Sequence, residues 1–194
     1  RFFSDYSAGK IADWGAHHLD ITQWALGYDY SGAKFIEPLE TEWQKDGFYD
    51  LPTVFNVRFT YERGEVVDMT CKKEAGEGIK FEGENGTIWV DRGRIASDPA
   101  NLVFEKVPPS GARLNGREMP DDHISNFIWN VRNRKITATD IETAHRTNTG
   151  CLLGEIAYMT GRKIQWDWKA EKIIGDEQAE KLTTRSYRGD WKLA

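Results

Sequence analysis

Within GKIADWGAHHLDITQWALG, residues 9–27, two carboxylates and two imidazoles fall inside eight positions: Asp13, His17, His18 and Asp20. A helical turn rises about 5.4 Å and stacks residues three and four apart. Asp13, His17 and Asp20 therefore share one surface, with His17 between two carboxylates. A carboxylate beside an imidazole fixes its tautomer and raises its basicity, which suits general acid–base work near neutral pH. His18 lies about 100° round the helix from His17 and is not expected to serve the same small site. Gly15 removes a side chain next to Asp13 and lets another element or a ligand come close. On the residues alone three roles stay open: an acid–base pair, a metal site using His17 with Asp13 or Asp20, and a hydrogen-bonded structural network. His123 and His145, the other histidines, stand in no recognised ligand spacing, which weakens the metal role.

Further residues could reach a ligand. Tyr6 precedes the segment and Trp14 lies within it, so both are candidates for contact with a substrate, Trp14 by stacking on a sugar ring. Trp24 is expected in the core, His145 half-buried and satisfied, and His123 at a helix start. Lys72-Lys73 and Arg132/Arg134 read as solvated faces, with Lys72 available to an acidic substrate.

The elements that position these residues follow from periodicity. Residues 11–26 are helical, stopped by Gly27. In TVFNVRFTY, Phe55, Val57, Phe59 and Tyr61 point one way and Asn56, Arg58 and Thr60 the other, as in a half-buried strand. Arg63-Gly64 is a turn, EVVDMTC alternates again, and IKFEGENGTIWV reads as a hairpin with Asn85-Gly86 in a type I′ turn. Arg92-Gly93 turns into RIAS, and AKFIEPLETEW adds a strand broken or edged by Pro38. Residues 98–122 read as a long loop. Helices return with Ile124, Phe127, Ile128 and Val131 at i, i+3, i+4 and i+7. Asp140 caps the next helix, whose apolar stripe is Ile141, Ala144, Cys151, Leu152, Ile156 and Met159. KIQWDW supplies one more strand and DEQAEKL a short helical piece. This order predicts an α+β class, an antiparallel sheet with helices on one face.

Composition bounds the rest. A chain of 194 residues buries roughly 70% of its unfolded surface, enough for a proper core. The net charge of −5 is spread along the chain, without the basic stripe of a nucleic-acid binder. No apolar run approaches the ~20 residues that span a bilayer. Two cysteines, Cys71 and Cys151, read as buried thiols rather than a disulfide framework.

Gly9 followed by Asp13-x-Gly15-x-His17-x-x-Asp20 resembles the G-x-x-x-D-x-G-x-H-x-x-D segment of the Gfo/Idh/MocA oxidoreductases. The longer FFSDYSAGKIADWGAHHLDITQWALG is similar to a bacterial subgroup with a DYSGGK-x-x-DWGAHHLD signature. NFIWNVRNRK, DIETAHRTNTGCLLGEIAYMTGRKIQWD and GDEQAEKL resemble that subgroup too, so the likeness covers nearly the whole chain. It implies a C-terminal domain with an open, mostly antiparallel sheet and helices packed on one face. Residues 1–194 would be a single substrate and oligomerisation domain, in a parent protein whose N-terminal Rossmann domain binds NAD or NADP. The implied activity is hydride transfer on a sugar or polyol. Asp13 and His17 are the implied catalytic pair, His17 exchanging the proton and Asp13 orienting it or binding substrate, with Asp20 in support.

The chain departs from the pattern in two respects. Ala8 stands where the subgroup often has Gly, and the chain has neither an E-K-P segment nor G-x-G-x-x-G. GEGIKFEGENG has the wrong spacing for a dinucleotide turn and sits in a hairpin. The chain alone is thus expected to be inactive and its parent active. A glycosidase or epimerase that uses the nicotinamide transiently fits the same residues, as does a module serving chiefly sheet-mediated oligomerisation. The expected partners are a sugar or polyol and further copies of the chain, with no nucleic acid or membrane. The expected location is the cytoplasm, with export of the parent left open.

Overall fold

The computed structural model describes residues 1–104 and 122–191. Its first helix, α1 (Lys10–Leu26), ends where Gly27 takes a left-handed conformation, φ 74°; the Gly27 and Tyr28 amides return to the Trp24 and Gln23 carbonyls. α1 buries Ile11, Gly15, Leu19, Thr22 and Gln23. Trp24 falls just past that stripe and is exposed, contrary to its expected place in the core.

The strands are β1 (Phe35–Glu42), β2 (Val54–Thr60), β3 (Val66–Thr70), β4 (Ile79–Gly83), β5 (Gly86–Asp91), β6 (Arg94–Asp98), β7 (Ile164–Asp167) and β8 (Lys172–Ile173). Every neighbouring pair is antiparallel. They form two open sheets, one of five strands in the order β3-β2-β1-β7-β8 and one of three in the order β4-β5-β6. β7 pairs only with Phe35 and Ile36 of β1, and the β1–β2 register shifts between Pro38 and Glu40. Pro38 is tolerated because its missing N–H falls where β1 has lost its second neighbour.

The tight turn of the β4–β5 hairpin is Glu84-Asn85, one residue earlier than expected, because Gly83 pairs with Gly86. Gly86 has φ 141°, and a Cβ there would meet the Asp98 carbonyl oxygen at 2.2 Å. That residue is glycine because β6 passes against its backbone, not because it forms the turn.

The helices after the sheets are α2 (His123–Asn133), α3 (Ile141–Thr160) and α4 (Glu177–Glu180). Asp140 caps α3 as expected, accepting from the Thr143 amide at 3.0 Å. α1 and α3 lie on the face of the large sheet that carries Ile36, Phe55, Val57 and Phe59, and these residues form the core with Ile11, Leu153 and Ala157. Cys151 and Ile156 of the expected α3 stripe are buried, but Ile141, Ala144, Leu152 and Met159 face solvent. Small residues take the contact with α1 instead. A Cβ on Gly150 would stand 2.8 Å from Leu19 Cδ2, and one on Gly154 2.6 Å from Ile11 Cδ1.

α2 inverts the expected arrangement. Ile124, Phe127, Ile128 and Val131 are exposed, while Asn126 and Asn130 are buried. The Ala138 amide donates to Asn126 Oδ1 at 3.2 Å, and Asn130 Nδ2 donates to the Asn126 carbonyl at 2.7 Å. The periodicity located the stripe, but the segment that follows the helix folds back on its polar side. Of the loop read over residues 98–122, positions 105–121 lie outside the described residues; Ala100–Phe104 is a short 3₁₀ turn. Cys71 and Cys151 are free thiols. Among the described residues no helix is long and apolar enough to cross a membrane.

Candidate functional site

α1 is held against the sheet at Gly15, where a Cβ would come within 2.9 Å of Met69 Sδ. The close approach that Gly15 allows is therefore made by β3. It leaves the opposite side of α1 facing a cavity of about 510 Å³. His17, His18 and Asp20 form one wall. Thr143, Thr147 and Asn148 of α3, with Thr139 before it, form the second, and Val90, Asp91 and Arg92 of the small sheet the third.

Asp20 is anchored at the α1–α3 contact. Thr147 Oγ1 donates to Asp20 Oδ1 at 3.2 Å and accepts from Gln23 Nε2 at 3.4 Å; Gln23 Oε1 accepts from the Tyr61 hydroxyl at 3.2 Å. This buried chain fixes Asp20 from behind and leaves its carboxylate at the cavity, a supporting position. The His18 imidazole is half-buried, and desolvation draws its pKa below the ordinary histidine value. Asp91 opposes that shift, while His17 and Arg92 add to it.

Of the residues singled out by sequence, the structure gathers His17 and Asp20 at the cavity. Asp13 stands one turn earlier, exposed and ion-paired with Arg1, outside the cavity lining. Trp14 sits at the rim: its ring lies 6.1 Å from the His17 ring, edge-on, and the Arg92 guanidinium stacks over it at 5.0 Å. That face of the indole is occupied from within the chain. Tyr6 is exposed and pairs with Arg188, 5.8 Å from its ring centre, also away from the cavity.

Sequence reasoning set His18 apart from the site, which the cavity lining overturns, and passed over Asp91, Arg92 and the threonines of the second wall. Adjacent residues on a helix diverge by about 100°, yet the cavity is wide enough to take both imidazoles. Asp91 and Arg92 left one signal, their place beside the Arg92-Gly93 turn, and nothing local says that this turn faces α1. His145 pairs with Glu171 at 2.9 Å and is exposed; Lys72 pairs with Glu40. Among the described residues no three of His, Cys, Asp and Glu converge as a metal site would require.

Comparison with known proteins bears on this geometry. A family model described as "Oxidoreductase family, C-terminal alpha/beta domain" matches residues 1–193. The chain is also similar to a glycerol kinase of Thermococcus kodakarensis, 21% identical over 220 residues, in an alignment covering 95% of this chain and 42% of that protein. The chain thus spans less than half of that relative's length, and a likeness this weak carries no shared activity.

Proposed function

Because the chain belongs to the oxidoreductase family whose C-terminal alpha/beta domain it matches, we propose that it supplies the substrate-binding half of the active site in a nicotinamide-dependent enzyme acting on a sugar or polyol. The observation that carries this reading is His17 on the wall of a cavity of about 510 Å³, beside an Asp20 held in place by Thr147. Hydroxyls, an amide and carboxylates converge there, the groups that recognise a polyhydroxylated ligand.

A bound nicotinamide would supply the hydride acceptor. The described residues do not cradle one: the glycine-rich stretch forms β4, β5 and the turn between them, not a strand leading into a helix. We assign the cofactor, NAD or NADP, to a Rossmann domain preceding this chain in its parent protein. The chain's own residues then bind and orient the substrate. His17 takes the hydroxyl proton on a ring nitrogen as the carbinol becomes a carbonyl, and returns it in the reverse direction. Asp20 fixes the wall beside it. Asp13, one turn before His17, orients the imidazole or meets the part of the substrate that extends past the rim.

The test is His17→Ala in the full-length protein, assayed against polyols and glycosides with nicotinamide binding followed in parallel. The expected result is a fall in turnover of about 10²-fold or more with cofactor affinity retained. Unchanged turnover would make the motif structural and remove this reading. The product identifies net oxidation, hydrolysis or epimerisation.

A further inference from the structure

The carboxylate at the end of β5 has no part in the proton transfer, yet it faces the reacting wall from across the cavity. Asp91 is the last residue of β5 and pairs with Arg94 across a turn made by Arg92 and Gly93, the latter at φ 69°. It stands opposite His18, and both line the same cavity. We propose that Asp91, with His18 facing it, is the specificity-determining pair of this site and selects a neutral polyhydroxylated substrate over the matching sugar acid or sugar phosphate. This rests on the reading of the site as one for a sugar-like ligand.

The balance of charge along the lining carries the inference. Two carboxylates, Asp20 and Asp91, face one guanidinium, Arg92. The His18 imidazole does not make up the difference, because burial, His17 and Arg92 favour its neutral form, with Asp91 opposing them. Arg92 is itself stacked on Trp14 and adjoins Asp91, so it is neither an isolated nor a freely turning cation. An anionic ligand would meet two like charges in a partly desolvated site, which costs affinity without any clash of shape. A neutral polyol meets acceptors that match its hydroxyls. Asp91 accepts, neutral His18 donates or accepts, and the threonine hydroxyls and Asn148 amide do both. One hydroxyl can therefore be held at His18 and Asp91 while another is presented to His17.

Binding is measured apart from turnover, by calorimetry on the full-length protein with a neutral polyol, the matched uronic acid and the matched phosphate. The wild type should bind the neutral ligand at least about tenfold more tightly than either anion. Asp91→Asn keeps the shape and removes the charge; it should weaken neutral-ligand binding and bring the preference down to about threefold or less. Because Asp91 raises the His18 pKa, Asp91→Asn should also lower the His18 titration midpoint seen by NMR. Equal or tighter binding of an anion by the wild type, an unchanged preference in Asp91→Asn, or an unmoved His18 midpoint would each overturn the proposal. If no panel member binds, it falls with the reading beneath it. Binding with the stated preference but no turnover would remove the proton-transfer role of His17 and leave the sugar-like ligand and this selectivity standing.

Discussion

At the scale of single residues, Glu155 shows what burial does to a carboxyl in this core. It lies on the buried side of α3, with the Arg185 guanidinium 3.9 Å away. Burial pushes its pKa up to about 7, Asp50 adds to the rise, and Arg185 opposes it without cancelling it. The neutral carboxyl is therefore the form the fold favours. Its penalty is absent below the unfolded value of 4.5 and grows as the pH climbs to about 7. Glu155→Gln should match the wild type in stability near pH 4 and exceed it by about 1 kcal/mol near pH 8, where Arg185 and residual solvent temper the full effect. Urea unfolding of both proteins across that range checks this; a difference independent of pH would mean that Glu155 is solvated. His18 has the opposite sign. Its lowered pKa withdraws stability as the pH falls below the ordinary histidine value of 6.5.

At the scale of elements, α1 was legible because its chemistry and its burial share one period, and its capping glycine fixed its end. The rest of the site was not, because the other walls reach α1 from α3, more than a hundred residues later, and from a turn in a separate sheet. α2 shows the limit most plainly. A clean stripe of Ile124, Phe127, Ile128 and Val131 says that one side is apolar, but only tertiary contacts decide which side the chain covers. α3 was half legible for a related reason: its contact with α1 is made by glycines, which carry no hydrophobic signal. That contact yields a sharp prediction. A Cβ on Gly154 meets Ile11 Cδ1 at 2.6 Å and Phe59 Cζ at 3.2 Å, so neither helix nor sheet offers room. Gly154→Ala gains helix propensity yet should destabilise the chain by about 1–3 kcal/mol through overpacking, read as a lower urea midpoint. A stabilised variant would mean that α1 moves away from α3 at little cost.

At the scale of the whole molecule, the layers came out as read, with helices on one face of an antiparallel sheet, while the split into sheets of five and three strands followed from pairings too distant to see in the sequence. The free face of the large sheet bears on assembly. A flat apolar patch there would have driven association by burial, but the strands mix paired charges with the exposed Val66. Arg58 donates to both Asp68 oxygens at 2.7 Å, Lys72 pairs with Glu40, and Lys163 lies 3.6 Å from Glu37. Copies meeting through this face would be held by ion pairs re-formed across the contact, and such pairs are screened as the Debye length shrinks from about 10 Å at 0.1 M to about 3 Å at 1 M salt. Sheet-mediated assembly of the full-length protein thus predicts an oligomer whose dissociation constant rises steeply between those salt concentrations, and which Arg58→Glu, placing like charge opposite Asp68, breaks at low salt. Sedimentation at the two salt concentrations decides it. An oligomer indifferent to both salt and Arg58→Glu would be assembled through another surface, and the charged sheet face would then be a solvated one.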